Sequence, residues 1–352
     1  MRILVLGGGW FLGRAVVSGA LERGWEVTTF TRGLSSVPVP GAVAVHGDRE
    51  RPEDLARLAG EGPWDAVIDT SASELSPHVV RSGARTLEPV VGRYVYVSTV
   101  AVYEGWPAEP LNTCSPVWAA SADAGPEAVR PPDSASGINP GYGRRKAGTE
   151  HAVTETFGLS RTSLLRPGVL LGPGEYVGRL PWWLRRTERG GVILAPGNPT
   201  RRVQAVDVRD VATFALDQAL HVGHQVHNLG SPIGRETMGG FLQACMDVTG
   251  STGELLWVED EILLHHGLRQ WTELPLWWTH PGVSVIDSAS AVAAGFHSRP
   301  LAETVADTWH WLSQGNTPVP HRRWAKHGID PAKEQAVLDG IAYEGALRSP
   351  NP

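Results

Sequence analysis

The stretch Arg2-Ile-Leu-Val-Leu-Gly-Gly-Gly-Trp-Phe-Leu-Gly-Arg14 restricts the fold more than any other part of the chain. Residues 2–6 are mostly branched and apolar, which suits a strand covered on both faces, as strands of parallel sheets are. Gly7, Gly8 and Gly9 then allow a sharp turn. From Trp10 onward Phe11, Leu12, Ala15, Val16 and Ala20 fall at helical spacing. Strand, glycine turn and helix make the first half of a βαβ unit. In that unit the helix N-terminus directs unpaired N–H groups at any anion above the turn, and a dinucleotide pyrophosphate is the usual occupant. Glycines at 7, 10 and 13 would match a G-x-x-G-x-x-G fingerprint, but residue 10 is Trp. The middle glycine normally lets phosphates approach the backbone, so the Trp10 ring must turn aside, over a cofactor or into a substrate cleft. A tight strand–helix turn with no ligand is the alternative.

Composition removes several functions. A chain of 352 residues can bury one large α/β domain, or one domain with a smaller lobe. Its net charge of -6 gives no electrostatic footprint for nucleic acid. No apolar run reaches 18 residues, so no membrane span is expected. The first strand has neither the basic n-region nor the cleavage site of a signal peptide. Cys114 and Cys245 form neither a disulfide framework nor a metal site and read as reduced thiols of a cytoplasmic protein. Only Lys146, Lys326 and Lys333 are Lys among 31 basic residues, so the position of a Lys is informative.

Further along, Glu26–Phe30 reads as a second strand ending in Thr31-Arg32-Gly33. An NAD-binding fold usually has Asp or Glu there for the ribose 2′-hydroxyl. Here Arg32 stands near that place and Arg14 follows the glycine loop, and a guanidinium suits a 2′-phosphate. NADP(H) is therefore favoured over NAD(H), unless both arginines are only surface residues. Strands at 42–45 and 64–69 follow, with a short helix at 53–60 between them. Asp48 stands where an adenine edge is read, or in a plain turn. Asp69-Thr70-Ser71-Ala72 falls on the sheet edge that carries the glycine loop, where open α/β sheets bind ligands. A strand at 94–99 leads into an irregular segment, roughly 104–140, long enough to suggest an active-site rim or lid.

Beyond it, Tyr142 and Lys146 open a helix reaching about residue 157, four apart and so on one face. With six Tyr and three Lys in the chain, about 0.05 such pairs are expected by chance. A phenol with a reference pKa of about 10 is a poor base at neutral pH, and a neighbouring ammonium stabilises its phenolate. The Thr99 hydroxyl could hold a substrate oxygen beside the phenol.

These pieces follow one another in a fixed order: Gly7-Gly-Gly-Trp-Phe-Leu-Gly13, Ser98-Thr99 with Val102-Tyr103, Tyr142-x-x-x-Lys146, and Arg166-Pro-Gly-Val-Leu-Leu-Gly-Pro173. In this the chain resembles the short-chain dehydrogenase/reductase superfamily, in its extended, NAD-dependent epimerase/dehydratase-like branch. The resemblance continues through Val203–Asp210, like that branch's return segment, and Ile286–Phe296, like its last core helix. It implies an α/β fold, a Rossmann-type doubly wound parallel sheet with a smaller C-terminal substrate-binding lobe. Residues 1–166 with a return segment at about 203–229 are expected to form the first part, 167–315 mainly the lobe, and 316–352 a tail with one helix at 330–347.

The resemblance also implies roles. Tyr142 matches the catalytic acid/base, Lys146 its partner and Thr99 the substrate-orienting hydroxyl. Gly7, Gly9, Trp10, Phe11, Leu12, Gly13, Arg14, Arg32, Asp48, Thr70, Ser71, Ala72, Lys146 and Pro167 are expected around the cofactor. Trp10 resembles an atypical subgroup with a large residue at that place, which includes chloroplast stem-loop RNA-binding proteins. The later part of the chain holds nine of the 14 tryptophans, and aromatic residues serve as pocket walls or as core filling. Tyr103, Trp182, Arg202 and Trp271 are expected on the substrate side, with Trp271–Trp278 a covering segment and Arg201 and Arg202 either near an anionic group or on the surface. His221, His224 and His227 straddle a helix end and a strand and need not converge on a metal.

The expected activity is hydride transfer between a nicotinamide and a secondary alcohol or ketone of a small molecule. An epimerase that retains NAD is the near alternative. A dehydratase is disfavoured because Val100-Ala101 stands where that activity usually has an acid and a base. A non-catalytic nucleotide- or RNA-binding member is the rival from another class. No membrane or nucleic-acid partner is expected, and a homodimer is the default among relatives.

Overall fold

The computed structural model describes residues 1–34, 37–126, 139–223, 225–318 and 327–348. His224, Trp324, Lys326 and the central part of the expected rim, residues 127–138, lie outside the described residues.

The N-terminal half alternates strand and helix: β1 (Arg2–Leu6), α1 (Phe11–Glu22), β2 (Glu26–Thr31), β3 (Val43–His46), α2 (Pro52–Ala59), β4 (Trp64–Asp69), α3 (Pro77–Leu87), β5 (Val91–Val97), α4 (Pro140–Phe157) and β6 (Thr162–Pro167). Then come β7 (Val169–Leu171), α5 (Arg179–Glu188), β8 (Val192–Pro196), β9 (Arg202–Val203), β10 (Ala205–Asp207), α6 (Val208–Leu220) and β11 (Gln225–Leu229). Seven of these strands form one parallel sheet in the order β11-β6-β5-β4-β1-β2-β3. The order reverses between β1 and β4, which opens a crevice at their C-terminal ends.

Alternation along β1 feeds two cores. Ile3 and Val5 meet Leu12, Val16 and Val17 of α1 and Phe214 of α6 on one face. Leu4 and Leu6 meet Leu55 of α2, Val80 of α3 and Phe157 of α4 on the other. Burial on both faces explains why β1 reads as a continuous apolar run.

The lobe contains β12 (Glu236–Thr237), α7 (Met238–Thr249), β13 (Glu254–Val258), α8 (Asp260–His265), α10 (Leu301–Ser313) and α11 (Pro331–Arg348), while α9 (Ala289–Ala293) returns to the sheet and buries Ala291 in the core beside α1 and α6. The lobe core gathers Trp183, Ile193, Phe241, Trp277 and Val305, with Val337 of α11. Arg186 of α5 and Glu334 of α11 are both buried and paired at 2.8 Å, so the C-terminal helix packs on the lobe of its own chain. The expected helix at 286–296 is shorter, Ala289–Ala293, because Ile286 bridges to Leu111 before it and Gly295 (φ 95°) turns the chain after it. Among the described residues no helix is long and apolar enough to cross a membrane.

Candidate active site

A cavity of about 550 Å³ follows the crevice from Arg32 and Asp48, past the glycine loop, to Thr99 and Tyr142. Gly7 (φ 110°) and Gly8 (φ 98°) take backbone angles that side chains resist. A Cβ on Gly7 would also lie 2.5 Å from Thr70 Oγ1, so the loop can sit against β4 only as glycine. Trp10 occupies the N-cap position of α1 with extended backbone, no capping side chain and no acid in the first turn. The first N–H groups of α1 thus meet the cleft uncapped, which fits an anionic group such as a pyrophosphate.

Trp10 itself resolves the irregularity in the fingerprint. Its ring turns towards Tyr176, with centroids 5.6 Å apart, and Phe11 meets the same tyrosine edge-on at 6.2 Å. All three line the cavity. Tyr176 follows β7 and gave no signal in the sequence. Its neighbour Glu175 is fully buried, and its carboxylate accepts from Arg179 N and Leu180 N at 3.0 Å each and so caps α5. Burial raises the Glu175 pKa above the ordinary value.

At the opposite end Arg32 is exposed and borders the cavity. Arg14 does not border it; its guanidinium turns outward and donates to the Val37 carbonyl at 3.1 Å. Asp48 borders the cavity while its Oδ1 accepts from Glu50 N at 3.0 Å, which is the turn reading of that residue. Gly9, Leu12, Gly13, Thr70, Ser71 and Pro167 also line the cleft. Ala72 does not, being buried among Val80 and Leu87 beneath it.

The floor of this end is built on Asp69, which the sequence places on this sheet edge, and on Arg49, which it does not single out. Asp69, at the end of β4, is fully buried, and Arg49 grips it through two N–H groups at 2.7 and 2.9 Å. Arg49 also donates to Ser71 Oγ at 2.8 Å, and the Tyr94 hydroxyl donates to Asp69 Oδ2 at 2.7 Å. Burial alone would raise the Asp69 carboxyl; the Arg49 charge and these hydrogen bonds overcome it and hold the pKa below the ordinary value.

The expected catalytic residues converge at the other end. Asn139 caps α4, its side chain accepting from Tyr142 N at 3.0 Å, so Tyr142 sits in the first turn. Gly143 lets α4 press on the turn after Thr99, since a Cβ there would lie 2.1 Å from the Ala101 carbonyl. Thr99 and Tyr142 both line the cleft. The Thr99 hydroxyl accepts from Ala101 N at 3.2 Å, which leaves its own proton to donate. Lys146 lies just beneath, buried, with Nζ donating to the Val97 carbonyl at 2.7 Å and 4.2 Å from the centre of the Tyr96 ring. Burial lowers its pKa to about 7, against the opposing charges of Asp69 and Glu150.

The expected substrate-side residues do not come to this cleft. Tyr103 is fully buried; its hydroxyl donates to Asn228 Oδ1 at 2.7 Å and accepts from Arg166 Nη1 at 2.8 Å. Arg166 in turn holds Glu150 of α4 through two bonds of 2.9 and 2.5 Å, so Tyr103 braces α4. Trp182 packs edge-on against Trp183 and under Gly328. Trp271 meets Trp278 at a tilt of 37° with centroids 4.7 Å apart, and Arg179 lies over its ring at 5.2 Å. Arg202 is exposed on β9, and Arg201 pairs with Asp260 and donates to the Trp278 carbonyl at 3.0 Å. His227 is buried against Ser290 Oγ at 3.1 Å, and burial lowers its pKa to about 4. Among the described residues no three His, Cys, Asp or Glu could hold a metal ion.

Fold and cleft together define a protein of the Rossmann-like, doubly wound class, with an anion-ready glycine turn beside a tyrosine–lysine pair. Residues 3–230 match the model of the NAD dependent epimerase/dehydratase family, and the chain belongs to that family, whose members bind NAD(P). It is 30% identical over 241 residues to a 2-alkyl-3-oxoalkanoate reductase of Stenotrophomonas maltophilia, 63% of this chain and 67% of the relative. It is 26% identical over 237 residues to the chloroplast stem-loop binding protein of 41 kDa b of Arabidopsis thaliana, 61% of this chain and 54% of the relative. Among solved structures, a UDP-glucose 4-epimerase of Thermotoga maritima superposes with a TM-score of 0.66 at 19% identity, covering 90% of this chain and 99% of that one. A UDP-glucose 4-epimerase of Thermus thermophilus, solved with NAD, gives 0.62 at 20%, covering 90% and 100%. At these identities the structural likeness establishes the fold.

Proposed function

We propose that the chain is an NAD(P)-dependent reductase acting on the carbonyl group of a small molecule. One observation carries the reading: the uncapped α1 terminus, the Thr99 hydroxyl and the Tyr142 phenol line one continuous cleft, with Lys146 directly beneath. The reductase relative at 30% identity supports the direction of the chemistry.

When bound, a nicotinamide supplies the hydride that reaches the carbonyl carbon. The chain's own residues handle the oxygen. Thr99 donates a hydrogen bond to it, and the Tyr142 hydroxyl gives it a proton. Lys146, one turn further along α4 and donating to the Val97 carbonyl, stabilises the phenolate when it carries its proton. General acid catalysis of this kind contributes roughly 10²–10⁴-fold. Arg32, exposed beside the end of β2, suits a 2′-phosphate and favours NADP(H).

An epimerase that retains its nucleotide is the second reading, favoured by the Trp10–Tyr176 contact, which joins the two walls of the cleft and would slow exchange. The stem-loop binding relative raises nucleic-acid binding, against which stands the net charge of -6. The test is fluorescence titration with NADPH and NADH after checking the purified protein for retained nucleotide. Micromolar NADPH binding with weaker NADH binding and an empty starting protein supports the exchanging reductase. Tightly retained NAD supports the epimerase, and no binding of either sinks both.

A further inference from the structure

Arg49 combines features that neither a surface arginine nor a phosphate ligand shares. It is nine-tenths buried, yet it lines the cleft, between Asp48 and Glu50 on one side and Thr70 and Ser71 on the other. Two of its N–H groups go to Asp69 and one to Ser71. A guanidinium has five, so most of its hydrogen-bonding edge is committed. Its charge is matched by a fully buried carboxylate, which removes the net attraction a phosphate needs. Two N–H groups remain, together with the flat face of a guanidinium fixed in place by three bonds. Such a face accepts an aromatic ring by stacking and cation–π attraction.

Position decides which ring. If a nicotinamide is to reach Tyr142 while its pyrophosphate lies at the α1 terminus, the other half of the dinucleotide must extend towards the ends of β2 and β3. Arg32, Asp48 and Arg49 border that end. We propose that Arg49 is the platform for the purine base of the cofactor, its guanidinium locked by Asp69 and Ser71 so that it meets the base by its face. This rests on the dinucleotide reading above. It also divides labour between two arginines: exposed Arg32 meets charge, and compensated Arg49 meets a neutral ring.

The experiment is calorimetric titration of the full chain with ADP and, separately, with reduced nicotinamide mononucleotide. Wild type is compared with Arg49→Lys, which keeps the charge but loses the planar group, and with Arg49→Met/Asp69→Asn, which removes the pair without stranding a buried carboxylate. Thermal unfolding checks that each variant is folded. ADP affinity should fall about 3- to 30-fold in Arg49→Met/Asp69→Asn, the range a desolvated cation–π contact gives, and by less in Arg49→Lys, which keeps a cation but loses the planar face, while the mononucleotide binds as in wild type. Unchanged ADP binding in folded variants overturns the proposal. Equal loss for both fragments also overturns it, since Arg49 would then act only through the fold. If wild type takes up ADP and NADPH, such failures count against Arg49 alone; if it takes up neither, the dinucleotide reading falls first and this assignment with it.

Discussion

The cleft and the lobe both bury charge and aromatic rings, but they use them in opposite ways. In the cleft, polar groups are fixed from below and left available from above. Arg49 is gripped by Asp69, Lys146 by the Val97 carbonyl and Thr99 by Ala101 N, each at or beneath a surface that faces open space. In the lobe the same residue types close on one another. Arg186 meets Glu334, Arg201 meets Asp260, Trp183 donates to the Pro275 carbonyl and Trp271 packs at a tilt against Trp278. A buried charge must be satisfied in either place. In the cleft Arg49 and Thr99 border the open cavity, whereas none of the lobe residues named here does.

The comparison is tested hardest by one change on each side. Tyr142→Phe should lower turnover by about 10²–10⁴-fold with NADPH affinity and melting temperature near wild type; an active variant would move the chemistry away from this cleft. Arg186→Met removes one partner of a buried ion pair, which costs about 3–5 kcal/mol. Denaturant unfolding should show that loss, and any protein still folded should bind NADPH normally. If it is instead as stable as wild type, the C-terminal helix is not held as the ion pair implies.

How far the sequence foretold these two regions follows from the range of the interactions. The strand–glycine–helix opening, the continuous apolar run of β1 and the Tyr142/Lys146 spacing are set within a few residues, and all were legible. The Arg49–Asp69 pair spans 20 positions and exists only because the sheet order places β4 beside β1, across from the end of β3. Tyr176 meets Trp10 from the far wall, again through topology. Tyr103 stands where the family motif puts it, but Arg166 and Asn228, distant in sequence, draw its hydroxyl inward. The tryptophans misled for a simpler reason. A ring that lines a pocket and a ring that fills a core have the same composition, and Trp183, Trp277 and Trp278 fill the core.

Trp10 gives a smaller effect that separates a wall from a gate. Trp10→Gly restores the fingerprint and deletes one aromatic pair, a contact of about 0.5–1.5 kcal/mol. NADPH should leave the variant about 3- to 10-fold faster in stopped-flow displacement, in line with the size of that contact. A slower release would mean that Trp10 obstructs the nucleotide instead of retaining it.

The subtlest expected effect concerns Lys146. Burial lowers its pKa in the folded chain to about 7, whereas the unfolded chain keeps the ordinary value of about 10.5. Between those values the unfolded state holds a proton that the folded state lacks, so stability rises with pH there. The contribution is complete above the unfolded value and is lost as pH falls through about 7. Denaturant unfolding of wild type and Lys146→Met from pH 6 to pH 10 should therefore diverge, wild type gaining on the variant as the solution becomes more alkaline. Below pH 6 the two should run parallel. Parallel curves throughout would mean that the lysine keeps its proton in the folded chain, and that Asp69 and Glu150 outweigh its burial.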